Sequence, residues 1–95
     1  MEFEWDAVKN RANIKKHGID FNTAVLVFAD PHLVLREDRT DDSGEQRWHA
    51  LGLAGGLEPL LILVHVYREA TYGKEIIRII SARKASTHEG RGYFE

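Results

Sequence analysis

The chain has no cysteine, only two prolines in 95 residues, and no apolar run long enough to cross a membrane. Without cysteine there is neither a disulfide framework nor a thiolate zinc site, which fits a reducing compartment. The longest strongly apolar run, Leu60 to Tyr67, falls far short of the roughly 20 residues a spanning helix needs. The N-terminal MEFEWDAVK is acidic and amphipathic where a secretory signal would be basic and then apolar, so a cytoplasmic protein with no membrane partner is expected. Metal chemistry is also poorly supplied. His17, His32, His49, His65 and His88 form no HxH or HxxxH pair and have no carboxylate cluster beside them, so neither a metal nor a cofactor is expected. Nothing around Ser81 has the form of a nucleophile elbow.

What is present is the composition of an ordinary globule, 43% hydrophobic and 29% charged, long enough to bury roughly 60 to 65% of its unfolded surface around one core. Residues 1–95 are therefore expected to form a single domain. The net charge of −2 would argue against a polyanionic partner if the charges were mixed, but they are segregated. Lys9, Arg11, Lys15 and Lys16 follow one another with no acid between them, and His17 comes next. Glu37, Asp38, Asp41, Asp42 and Glu45 are opposed only by Arg39.

Hydrophobic spacing gives the elements. WDAVKNRANIKKHG reads as a helix capped by Asp6 and closed by Gly18, with a thin apolar stripe of Ala7, Val8, Ala12 and Ile14. Lys9, Asn13, Lys16 and His17 share a polar stripe at i, i+4, i+7, i+8. IDFNTAVLVFADP reads as a short second helix stopped by Pro31. HLVLRE, RWHALGLA, PLLILVHVYR and KEIIRIISA then read as strands of an antiparallel meander, with FEW as a potential short edge. KASTHEGRGYFE can form a short helix from near Ser86, weakened by Gly90 and Gly92. The class is α+β: two N-terminal helices, about four antiparallel strands and a short C-terminal helix.

Cations in the strands call for explanation, because a charge in a small core is costly unless paired. Arg68 and Arg83 end two strands, Arg78 sits mid-strand opposite in parity to Ile77 and Ile79, and Lys84 follows Arg83. These residues belong on an open face or at a strand end, where they can bind. Arg47, beside the acidic segment, is expected to pair with it. Trp48, Tyr67 and Tyr72 are candidate base-stacking aromatics, whereas Phe3, Trp5, Phe21 and Phe28 read as core.

Several blocks together carry a resemblance: FEWDAVKNRANIKKHGIDFNTAVLVFADP at 3–31, EQRWHALG at 45–52, VHVYRE at 64–69 and IIRIISARKAS at 76–86. Covering nearly the whole chain in order, they resemble the BrnT family of bacterial type II toxins, whose fold is similar to that of RelE-like ribonucleases. The resemblance implies a metal-independent endoribonuclease that arrests growth and is neutralised by a BrnA-like antitoxin, with DNA engaged only through that antitoxin. It implies that Arg68 and Arg83 converge on a phosphate, whereas the short EATYG turn by itself places Arg68 nearer Lys74 or Glu75 than Arg83. Metal-free cleavage uses the RNA 2′-hydroxyl as nucleophile and needs a base, an acid and cations. The candidates are Arg68, Arg83 and His17 for catalysis, with Lys9, Lys16, Arg78 and Lys84 for substrate binding. Two positions depart from the family pattern. Glu89 is followed by Gly90 where Arg is common, and His65 stands where an apolar residue or threonine is more frequent. The competing reading is a non-catalytic module, a degenerate toxin acting as co-repressor with its antitoxin.

Overall fold

A computed structural model describes residues 1–70 and 72–94. Thr71 in the expected EATYG turn and Glu95 in the tail lie outside the described residues. Strand β1 (Glu2–Glu4) leads into helix α1 (Ala7–His17) and the short helix α2 (Phe21–Ala24), which continues as a 3₁₀ turn, Val25–Ala29. Four strands follow, β2 (Val34–Thr40), β3 (Gln46–Ala54), β4 (Leu57–Glu69) and β5 (Glu75–Lys84), and helix α3 (Thr87–Phe94) ends the chain. The sheet order is β1-β5-β4-β3-β2. β2 to β5 form the expected antiparallel meander, and β1, which overlaps the expected FEW edge at Phe3 and Glu4 but leaves out Trp5, adds a fifth strand parallel to β5.

The caps act as the sequence suggests. Asp6 accepts from the Val8 and Lys9 amides, and Gly18, at φ 72°, returns its N–H to Ile14 O. The buried face of α1 differs from the expected apolar stripe. Val8 is 63% and Ile14 41% exposed, whereas Asn13 is buried. This helix is held by amides. Asn10 Oδ1 accepts from the Phe21 N–H at 2.9 Å. Asn13 Nδ2 donates to Ile19 O at 3.0 Å and Ala82 O at 2.9 Å, and its Oδ1 accepts from the Ala82 N–H at 3.1 Å. The physical cause lies in β5: β1 pairs only with Ile76, Ile77 and Arg78, so the strand beyond has backbone groups facing no neighbour. A primary amide carries the same donor and acceptor as a peptide and completes the ladder at Ala82.

The sheet has two apolar layers. On the side of α1 and α2, Phe21, Ala24, Val27, Ala50, Leu61, Leu63, Ile77, Ile79 and Ala82 form the main core. On the other side Leu51, Leu60 and Ile62 pack with Val34, Leu53, Ala85 and Tyr93 beneath α3. A register shift between Val64 and His65 places Ile80 as an extra residue in β5. Asp30 joins the layers: Oδ2 accepts from the Leu53 N–H at 2.7 Å and from Tyr93 OH, and Oδ1 accepts from the His32 N–H at 2.8 Å. The close approach requires Gly52, since a Cβ there would lie 2.9 Å from Val27 Cγ1 and 3.1 Å from Asp30 Oδ2.

His65 belongs to the main core. Its ring meets Phe28 and Tyr67 edge to face, both at 5.1 Å, it is 0% exposed, and Nε2 has no hydrogen-bond partner. Burial lowers its pKa to about 4, despite the contact with Leu63 O. With the folded value below the ordinary 6.5, the unfolded chain binds more protons between these limits. Stability should therefore be complete above about pH 6.5 and fall as pH drops toward 4, by up to about 3 kcal/mol. Urea denaturation across that range, with His65→Phe flattening the profile above pH 4.5, checks this. Asn13→Ala, which leaves two Ala82 groups unpartnered, should cost about 2–4 kcal/mol in the same measurement.

Candidate functional site

Strand alternation sorts the candidate residues by face. Leu51, Ile62 and Arg83 lie in one cross-strand row, Arg36, His49, Val64 and Ser81 in the next, then Val66 with Arg78, and Arg68 with Ile76. Arg47, adjacent to the core-facing Trp48, points the same way as His49. All of these face away from α1 and α2. α3 covers the end of this surface that carries Leu51, Leu60 and Ile62, so the remainder is an open sheet face bearing Arg47, His49, Arg68 and Arg78, with Arg83 and Arg36, whose guanidinium lies against α3 at Gly92, at its border. Val66, on this face, is 1% exposed and belongs to neither apolar cluster.

Acids from the chain's segregated runs meet these cations. Asp38 Oδ2 lies 3.2 Å from His49 Nε2, Asp41 Oδ2 3.7 Å from Arg47 Nε, and Glu45 Oε1 3.9 Å from Arg68 Nη2. The expected pairing of Arg47 with the acidic segment is therefore present, though loose: its buried Nε has no hydrogen-bond partner. Arg78 donates to Glu4 Oε2 at 2.6 Å. Arg83 makes a two-pronged pair with Glu89, at 2.8 and 2.7 Å. Among the described residues Arg36 has no ion-pair partner.

Glu89 has a second task. Its Oε1 accepts from the Ser86 N–H at 2.8 Å while Ser86 Oγ accepts from the Glu89 N–H at 3.1 Å, the reciprocal capping box that the S-x-x-E spacing of Ser86 and Glu89 signals. The Arg83 guanidinium, and then the Ser86 amide, hold the Glu89 carboxyl down to about 2, and Glu89 in turn raises Arg83. At the far end of α3, the hydrogen bond to Asp30 raises the Tyr93 hydroxyl to about 12. The glycines read as weak points also serve packing. Gly90 is buried, with Leu60 Cδ2 3.2 Å from where its Cβ would be, and a Cβ at Gly92 would collide with Arg36 Nη2.

Arg68, Arg78 and Arg83 thus share a face, but Arg68 and Arg83 do not converge. The cross-strand partner of Arg83 is Ile62, six residues before Arg68 on β4, which is roughly 20 Å along the strand. One phosphate cannot contact both in this arrangement; a linear polyanion can. The remaining candidates lie elsewhere. Lys84 pairs with Leu61 on the opposite face. His17 and Lys84 line a cleft of about 560 Å³ with Asp20 and Glu58, and Lys9 and Lys16 are exposed on α1. The structure therefore does not bring His17 to the arginines, because α1 and the open face lie on opposite sides of the sheet. Asn13 leaves the polar stripe for the core. Trp48 and Tyr67 pair edge to face at 5.6 Å on the helix-bearing side, away from the arginine rows, and Tyr72 is 96% exposed in a loop.

Sequence reasoning passed over Arg36, Asp30 and His49. For Arg36 and His49 the available signal was parity with Val34 in β2 and with Leu51 in β3. For Asp30 there was no local signal, because its partners Leu53 and Tyr93 are remote in sequence. No group of three or more His, Cys, Asp or Glu suited to a metal occurs among the described residues, and no described helix is long and apolar enough to cross a membrane.

A protein-family model described as "Ribonuclease toxin, BrnT, of type II toxin-antitoxin system" matches residues 5–89. None of the curated proteins compared matches the chain. The family match ends at Glu89, the residue that joins Arg83 to α3. Replacing it by alanine removes both the cap and the ion pair. Glu89→Ala should destabilise α3 by about 1–2 kcal/mol, seen as faster amide exchange over 87–94 with the exchange of β4 and β5 preserved.

Proposed function

The chain belongs to the BrnT ribonuclease toxins of type II toxin-antitoxin systems, and from that premise we propose that its open arginine face binds single-stranded RNA and cleaves it without a metal ion. The observation that carries this reading is the gathering of Arg36, Arg47, Arg68, Arg78 and Arg83 from four strands onto one face. Guanidinium groups match phosphate geometry and keep their charge at any working pH. Their rows, about 7 Å apart along the strands, suit successive phosphates better than one.

Substrate would enter by exchange of anions. Arg68 and Glu45 are both partly exposed and separated by 3.9 Å, a pair worth about 0–1 kcal/mol that a phosphate can readily displace. The Arg47 contact is similarly loose, and Arg36 needs no displacement. Arg83 is held more firmly by Glu89 and acts at the border, where it can stabilise the extra negative charge of a pentacovalent phosphorane. Lys9, Lys16, His17 and Lys84 lie beyond reach of this face and would contact only RNA that wraps around the sheet. A cognate antitoxin would neutralise the toxin by covering the arginine rows, with DNA contacted through the antitoxin alone, and growth arrest would follow from RNA loss in the cytoplasm.

A labelled single-stranded RNA incubated with purified protein in EDTA tests the reading. Cleavage leaving 2′,3′-cyclic phosphate ends is expected. Arg83→Ala should slow it about 10²-fold or more, and Arg68→Ala should chiefly weaken RNA binding. Absence of cleavage by folded wild-type protein, with and without ribosomes, would favour the co-repressor alternative.

A further inference from the structure

We infer that His49, with Asp38 beside it, is the general base that takes the 2′-hydroxyl proton. This rests on the ribonuclease reading above and assigns a residue that the arginines cannot replace, since a guanidinium does not give up its proton at working pH.

Position is the first argument. His49 is paired on one side with Arg36 and on the other with Val64, whose next neighbour is Ser81. Arg47 lies two residues away on the same face, and Arg83 lies two strands across and about one row along, roughly 12 Å between Cα atoms. Both side chains rise from the same surface, so a phosphate held by Arg83 or Arg36 brings its neighbouring ribose within reach of the imidazole. The ring is 27% exposed at its side chain, accessible but supported.

Chemistry is the second. Asp38 Oδ2 sits 3.2 Å from Nε2, so the imidazolium that forms on proton transfer gains an adjacent carboxylate, and the other nitrogen, Nδ1, is left for the substrate. The alternatives on or near the face are committed or remote, Glu45 standing beside Arg68 at the far end of β4 from Arg83. Glu4 is locked to Arg78 at 2.6 Å, and Glu89 is fixed between Arg83 and Ser86. His65 is sealed in the core on the opposite side, and His17 lines the cleft beyond the sheet.

The step balances without a co-reactant. The 2′-oxygen bonds to phosphorus as its proton passes to Nδ1, and the bond from phosphorus to the 5′-oxygen breaks. That oxygen takes a proton from water, and the imidazolium returns one to water. A 2′,3′-cyclic phosphate and a 5′-hydroxyl result.

The test compares wild type, His49→Gln, His49→Ala, Asp38→Asn and Arg83→Ala on one labelled RNA in EDTA, with RNA affinity and thermal unfolding measured for each. Both His49 variants should cleave about 10²-fold or more slowly while binding RNA as tightly as wild type, and Asp38→Asn should cleave several-fold more slowly. Added imidazole should restore part of the His49→Ala activity and none of the Arg83→Ala activity. A His49→Gln protein cleaving at the wild-type rate overturns the assignment and leaves the ribonuclease reading standing, as does loss of activity that imidazole cannot restore. Folded wild type that does not cleave overturns both.

Discussion

The side-chain amide of Asn13 fixes the relation between helix and sheet on which the rest of the molecule depends. β1 is only three residues long and leaves most of β5 without a neighbour on that side. An unpaired internal edge is costly in a buried setting and adhesive in an open one. Asn13 resolves this by satisfying both groups of Ala82, and by also holding Ile19 O it sets the turn from α1 into α2. With α1 and α2 fixed against one face, the main core closes there, and the other face is left for charged side chains.

That division of labour explains how a protein of nearly neutral net charge presents a face lined with arginines. The acidic segment, which runs from the end of β2 through the turn into β3, is placed so that Asp38, Asp41 and Glu45 meet His49, Arg47 and Arg68. These partial partners keep the arginine rows from repelling one another in the free protein while leaving them open to exchange. Net charge is a poor guide to binding when the compensating groups are loosely held and can turn aside.

The elements, their order and the α+β class were legible because each has a local signature: capping aspartates, Gly18, alternating apolar residues and short turns. The parity of Arg78 against Ile77 and Ile79 was legible for the same reason. The inner face of α1 was not, since its burial follows hydrogen bonding by Asn10 and Asn13 rather than apolar periodicity. Nor was the separation of His17 and Lys84 from the arginines, which is decided by which side of the sheet each element takes. Arg68 and Arg83 stand at strand ends as expected, and the short turn between β4 and β5 sets Arg68 beside Ile76 and away from Arg83, as that turn's length suggests.

The extra residue in β5 has a counterpart in the way a message is read. Arg78 and Arg83 are five positions apart, an odd interval, and in a regular strand they would emerge on opposite sides of the sheet. Ile80 acts as a shift of reading frame: before it the odd positions are core, after it the even ones, so that Ile79 and Ala82 both go inward and both arginines go outward. The arginine face is thus spelled in two frames, and its integrity depends on a residue that carries no charge and touches no substrate. Drawn into the regular alternation, Ile80 would turn Arg83 toward the core with no residue changed, whereas its deletion would leave a regular strand with both arginines still outward.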